Sequence, residues 1–288
     1  MNPKLKMLLS SATFGTLSLF IRHIQLTSAE VALFRAVIAL VCLTAFKGIK
    51  KEPRRLQGLG GELPLLFLSG AAMGFNWIFL FEAYKYTTVA VATLSYYFAP
   101  VLVTIACPIL FRERLTRGQI VCFIGATAGL VLVINPGSVS GPDPMKGVLF
   151  GLSAAALYAT VILLNKKITR VAGIDRTLLQ FAAAAVVLLP YILLTTGIHT
   201  GRMDATGWLC LLAVGLVHSG AAYVLYFSAL AALPGQEAAI LSYIDPLVAV
   251  LVSLIVLAEP VAPIQLAGGA MILAFTLANE LRPREGMT

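Results

Sequence analysis

Four ionisable side chains in this 288-residue chain, Arg35, Glu82, Asp245 and His218, fall within or at the edge of long apolar runs. Lipid cannot solvate such groups, so inside a membrane they face a cavity or pair with one another. Arg35 lies about 9 Å along its run at ~1.5 Å per residue. It is placed to attract an anionic group such as a carboxylate, or to pair with an acid such as Glu30. Asp245 directly precedes Pro246 and is the candidate for proton or cation coupling. Glu82 stands three residues before Lys85, the spacing of a helix-surface ion pair, so coupling competes there with simple interfacial pairing. His218 is near the middle of its run. Its imidazole titrates where a proton relay must, and it also suits a hydrogen bond to a neighbouring helix.

Asn76, Trp77, Tyr97, Tyr158, Tyr223 and Tyr243 share this middle depth. A few polar handles among aromatic walls are what a small-molecule site needs. Arg35, Asn76, Trp77, Tyr97, Tyr158, His218 and Tyr243 are therefore the candidate substrate-binding set. Asp245, Glu82, Pro100 and Pro246 are the candidates for coupling or gating. Each proline is expected to remove one helical hydrogen bond and displace the carbonyl four residues earlier, that of Tyr96 or Ser242. That makes the two prolines either a pair of hinges or two static kinks.

The sequence has no Walker motif, GxSxG elbow, HExxH or dinucleotide loop, so ATP-driven pumping by this chain alone is not expected. Cys42, Cys107, Cys122 and Cys210 lie in apolar runs with no CxxC pair, which points to free thiols and no metal site. No catalytic residues and no cofactor are expected.

The elements that must hold these groups follow from composition. Hydrophobic residues make up 59% of the chain and charged residues 12%, whereas soluble domains reach only about 45–50% apolar even with glycine counted. A membrane protein is the resulting class, with a lipid bilayer and a small molecule as partners. The formal charge of +8 sits between apolar runs, where it sets topology, so nucleic acid is not an expected partner.

Ten helical runs are predicted, over residues 5–21, 29–46, 63–84, 89–111, 120–134, 147–164, 178–196, 208–230, 238–257 and 264–281. A span needs about 20 apolar residues. The first run has no convincing signal-peptide cleavage site and is kept as structure. Gly70/Gly74, Gly125/Gly129 and Gly147/Gly151 are small-residue pairs suited to close helix packing. Sixteen Lys and Arg fall on one side of the alternating runs, including Lys51, Arg54, Arg55, Arg112, Arg114, Arg282 and Arg284, against four on the other, namely Arg22, Lys85, Lys146 and Arg202. The positive-inside rule then places both termini in the cytoplasm.

A shift of 146 residues places Tyr97 on Tyr243, Pro100 on Pro246, Glu113 on Glu259 and Gln119 on Gln265. Two five-helix units, 1–140 and 141–288, are predicted. Because five is odd, the second must enter the membrane inverted. This explains why ILFRERLTRGQ keeps its arginines while its copy, IVLAEPVAPIQ, has none. The fold class is therefore an all-α polytopic membrane protein of ten transmembrane helices in two inverted repeats.

The stretches TSAEVALFRAVIAL, FEAYKYTTVAVATLSYYFAPVLVTIACPILFRERLTRGQIVCFIGATAGLVLV and YFSALAALPGQEAAILSYIDPLVAVLVSLIVLAEPVAPIQLAGGAMILA resemble the EamA-type drug/metabolite transporters. The resemblance implies an alternating-access carrier of the inner membrane that exports amino acids or similar small metabolites. The competing reading is a membrane enzyme acting on a lipid-linked substrate, for which the loops supply few carboxylates or histidines.

Overall fold

The computed structural model describes residues 1–50, 59–111, 116–134, 140–171, 173–230, 232–233 and 241–281. The expectations placed on Lys51, Arg54, Arg55, Arg112, Glu113, Arg114, Arg282 and Arg284, and on residues 238–240, lie outside the described residues.

Apolar runs of this length fold as helices because lipid leaves every backbone group to be satisfied within the segment. The helices are α1 (Pro3–Gly15), α2 (Leu17–Ile21), α3 (Ser28–Lys50), α4 (Leu59–Tyr86), α5 (Val89–Tyr96), α6 (Ala99–Phe111), α7 (Arg117–Val133), α8 (Pro144–Lys167), α9 (Gly173–Thr195), α10 (Ala205–Ala213), α11 (Ala222–Leu230), α12 (Ile244–Leu251) and α13 (Pro263–Glu280). Wider π-helical turns follow α10 over Val214–Ala221 and α12 over Val252–Val256. Among the described residues six helical stretches are long and apolar enough to cross a membrane, and three further apolar helices are shorter. Leu194, Ile109 and Ile255 stay largely exposed on the outer faces, as side chains in contact with lipid do.

Local chemistry sets several boundaries. Thr88 caps α5 by accepting from the Val91 N–H at 3.2 Å. Gln119 reaches back to accept from the Thr116 N–H at 2.8 Å, and Gln265 accepts from the Ala262 N–H at 2.9 Å. The glutamines matched by the 146-residue shift thus do the same job, satisfying a donor that the start of a helix leaves free.

Each proline follows a break in its run by one turn. Pro100 and Pro246 sit in the first turns of α6 and α12, where a missing N–H costs no helical bond. The interruptions lie three residues earlier, at Tyr97 (φ −70°, ψ 5°) and Tyr243 (φ −70°, ψ −6°). Two equivalent tyrosines mark where the fourth and ninth runs break, each one turn before its proline, at the turn a proline ring disturbs.

The two largest of four apolar clusters among the described residues form the interior. One gathers Leu33, Ala36, Trp77, Phe81, Phe181 and Leu188 from α3, α4 and α9. The other gathers Leu94, Phe98, Leu130, Val148 and Ile272 from α5 to α8 and α13. α4 packs on α8 and α9, α1 on α11 and α12, α3 on α9 and on the Val214–Ala221 turns, and α7 on α13. The last contact is backbone-close: a Cβ at Gly129 would stand 2.6 Å from the Gly268 carbonyl oxygen, and one at Gly268 would stand 2.5 Å from that of Gly129. At one end Lys47 of α3 donates to buried Asp175 of α9 at 2.5 Å. There too, Glu62 accepts from the N–H groups of Thr169, Arg170 and Val171 ahead of α9. These contacts fix how α3, α4 and α9 present their inner faces.

Candidate functional site

Arg35 of α3 is only 4% exposed. Its Nε donates to Ser219 Oγ at 2.7 Å, and its guanidinium lies 4.6 Å from the centroid of the Trp77 ring and 5.9 Å from that of Phe81. Glu30, the possible acid partner, is engaged elsewhere, accepting from the Thr27 N–H and hydroxyl and from the His199 N–H. Among the described residues Arg35 has no carboxylate partner. Desolvating a cation costs several kcal/mol, and a cation–π contact returns about 2 kcal/mol when dry. A hydroxyl and two ring faces are the contacts that offset this cost.

Asp245 supplies the opposite charge. It lies in the first turn of α12, where the free N–H groups favour a carboxylate, and its Oδ2 accepts from the Tyr97 hydroxyl at 2.6 Å. α1 approaches closely here, since a Cβ at Gly15 would stand 2.5 Å from the Asp245 carbonyl oxygen. Arg35 and Asp245 are within electrostatic reach of one another without touching, and Tyr84 and Tyr223 are within reach of both.

Aromatic rings line the same region. Tyr223 meets Phe14 and Phe181 edge-on at centroid distances of 5.2 and 5.3 Å, and Phe181 meets Trp77 at 5.4 Å. Tyr96 lies 5.3 Å from Tyr158, and Tyr97 lies 6.5 Å from Tyr243. Arg35, Trp77, Tyr97, Tyr223, Tyr243 and Asp245 are thus gathered into one charged, aromatic-lined centre, with Tyr158 at its margin.

Other predicted residues are placed outside it or are already engaged. Asn76 donates from Nδ2 to the Ala154 carbonyl at 2.6 Å and pins α4 to α8. Glu82 accepts from Lys85 at 2.8 Å, the interfacial pair, away from the centre. His218 is buried in the π-helical turns beside Ser219. Its Nδ1 lies 3.3 Å from the Ala213 carbonyl, its Nε2 3.1 Å from Thr16 Oγ1, and its ring 4.8 Å from that of Phe20. The Thr16 hydroxyl has one proton and two acceptors in range, Nε2 and the Thr13 carbonyl at 2.8 Å. His218 is therefore tied to the break between α1 and α2, and it also lies within electrostatic reach of Arg35. π-Helical turns are rare and recur at functional sites, but no residue pattern here announced them. Ser219, Tyr84, Phe14 and Phe181 were not predicted as site residues for the same reason.

The profile of the EamA-like transporter family matches residues 4–135 and, a second time, residues 145–279. The chain belongs to the EamA-like transporter family. An uncharacterized transporter of Bacillus subtilis, YxxF, is 30% identical over 258 residues, covering 85% of this chain and 79% of that protein. An uncharacterized transporter of Archaeoglobus fulgidus is 29% identical over 272 residues, covering 93% of each. A solved crystal structure superimposes with a TM-score of 0.66 over 96% of both chains at 18% identity, a likeness of fold. This EamA-like chain is a multi-pass membrane protein.

Proposed function

We propose that this protein is a secondary transporter of the inner membrane that exports amino acids or similar small metabolites by alternating access. The carrying observation is the buried Arg35, which among the described residues contacts no carboxylate and lies within electrostatic reach of Asp245 among aromatic rings. A zwitterion fits that arrangement, with its carboxylate on the guanidinium, its ammonium on Asp245 and its apolar part against the rings.

The same reading holds that ten helices form two inverted halves, 1–140 and 141–288, with Arg35 in the first and Asp245 in the second. The double match to one family profile supports it. So does the packing. Under the 146-residue shift, the contact of α4 with α8 falls on that of α11 with α1. The contact of α4 with α9 falls on that of Val214–Ala221 with α3, and α6 with α8 on α12 with α1. The close pair Gly125 and Phe275 likewise falls on Met271 and Gly129, which also meet. Inverted halves place a substrate site at their junction near the midplane.

Counterflow tests the reading. Purified protein in liposomes should exchange at least one labelled amino acid or related metabolite. Silence across a broad panel would move the chain toward the lipid-linked enzyme alternative. Tyr97→Phe removes the donor to Asp245, a bond to a charged group worth about 1.5–3 kcal/mol. Exchange is expected to fall about tenfold or more with folding yield unchanged, whereas exchange at the parent rate would detach Tyr97 from the site.

Both termini are proposed to be cytoplasmic. A cysteine at exposed Gly201 should then react with an impermeant thiol reagent in intact cells, and one at exposed Lys167 should react only after lysis. The opposite pattern would invert the orientation.

A further inference from the structure

Three chain segments far apart in sequence meet at the carboxylate of Glu259, just before α13. One oxygen, Oε1, is bonded by Arg22 at the end of α2. The other, Oε2, accepts from the Val89 N–H, the first residue of α5, at 2.8 Å and from the Ser253 hydroxyl at 2.5 Å. The Ser253 oxygen in turn accepts from the Ala90 N–H at 3.3 Å, and the Ser253 carbonyl accepts from the Glu259 N–H at 2.9 Å. One side chain thus fastens the ends of α2 and α5 to the turn that precedes α13.

The backbone around Glu259 is built to hold it there. Ala258 has φ of 49°, in the left-handed region, and is the one non-glycine residue with positive φ among the described residues. That conformation costs an L-residue energy and persists only where surrounding contacts enforce it. The π-helical turns Val252–Val256 immediately precede it and aim Ser253 at the same carboxylate. The Glu259 side chain is 10% exposed and the Arg22 side chain 35%, so the pair closes over the interior from its rim.

Below this point α5 runs only to Tyr96 before the break at Tyr97, whose hydroxyl holds Asp245. α5 is a short lever with a break at its inner end and the Glu259 carboxylate at its outer end. We propose that Glu259 and Arg22 form the latch that keeps this face of the transporter shut, and that releasing it lets α5 swing about Tyr97 to open the charged centre. Ser253 and the strained Ala258 position the latch. The inference rests on the transporter reading of the centre, and its test needs no substrate.

The test reads access. The four native cysteines are replaced by serine and Thr93, buried in the middle of α5, by cysteine. An impermeant sulfonated maleimide is applied to purified protein in liposomes from the face bearing Arg22 and Glu259. Labelling should be slow in this parent. Losing a charged hydrogen bond shifts a two-state balance enough that Glu259→Ala and Arg22→Gln should each label at least about tenfold faster. Lys85→Gln, which breaks the unrelated surface pair, should keep the parent rate. Ala258→Gly keeps the left-handed turn that positions the latch, at lower cost, and should not accelerate labelling. The latch is overturned if neither Glu259→Ala nor Arg22→Gln, as monodisperse protein, labels faster. It is equally overturned if Lys85→Gln or Ala258→Gly accelerates labelling as much. Normal solute exchange with unaltered labelling overturns the latch alone. Faster labelling with no exchange of any solute overturns the transport reading alone.

Discussion

Replacing Arg35 with methionine is expected to abolish exchange while leaving the protein folded. Both halves of that result come from one observation, a buried guanidinium held by a serine hydroxyl and two ring faces. Methionine fills a similar volume, keeps contact with Trp77 and Phe81, and removes a desolvation cost of several kcal/mol. The lost cation–π contact is worth about 2 kcal/mol when dry, so the melting temperature should hold or rise. Transport has no such compensation. A hydrogen bond to a charged group is worth about 1.5–3 kcal/mol, and a bidentate pair with a carboxylate more, so exchange should fall roughly a hundredfold. Arg35→Lys keeps the charge and loses the flat fork, and it should fall between the two. The measurement pairs thermal unfolding in detergent with exchange in liposomes. A lower melting temperature with normal exchange would make Arg35 a packing residue.

Gly268→Val is expected to fail the other way, by loss of folded protein. The valine Cβ would stand 2.5 Å from the Gly129 carbonyl oxygen, 2.8 Å from Leu132 Cβ and 2.9 Å from the Val133 nitrogen. Two of the three neighbours are backbone, so no rotamer change relieves the clash, and α7 and α13 must separate. Overpacking costs about 1–3 kcal/mol even where side chains can shift. Without a hydrophobic force between helices in lipid, close van der Waals contact is what holds such a pair together. The monodisperse yield should drop several-fold, with Gly48→Val, where a Cβ meets nothing within 4 Å, as the unaffected control. Parent-level yield from Gly268→Val would show that this contact does not hold the two helices together.

Much of the architecture was legible because lipid imposes simple rules. A run of about 20 apolar residues spans, and small residues four apart pack closely. The match of Gln119 to Gln265 was readable, and the structure adds its cause, a backbone donor at each helix start. The prolines pointed to the breaks, which fall at Tyr97 and Tyr243, one turn before each proline, where its ring displaces the carbonyl four residues earlier. Partner choice was less legible. Arg35 and Ser219 lie 184 residues apart in sequence, and Arg22 and Glu259 lie 237 apart. Which face of a helix meets which neighbour is coded by amphipathic patterning in soluble proteins. Here both the lipid face and the packed face are apolar, so rotation about the helix axis leaves little trace in the residues. That is why Asn76 read as a site residue while its side chain serves Ala154, whereas the Glu82–Lys85 pair, three residues apart on one helix, was legible. It is also why Ser219 and the latch went unread.

The most direct test of the charged centre is an analogue series in counterflow. Take the amino acid that the purified protein exchanges best, and compare it with its carboxamide, which lacks the anion, and its N-acetyl form, which lacks the cation. If Arg35 and Asp245 hold the two charges, the parent protein should favour the zwitterion over each analogue by about tenfold or more. Arg35→Met should lose the discrimination against the carboxamide and Asp245→Asn that against the N-acetyl form. Equal exchange of all three solutes by the parent protein would contradict the account, as would exchange at the parent rate by both variants.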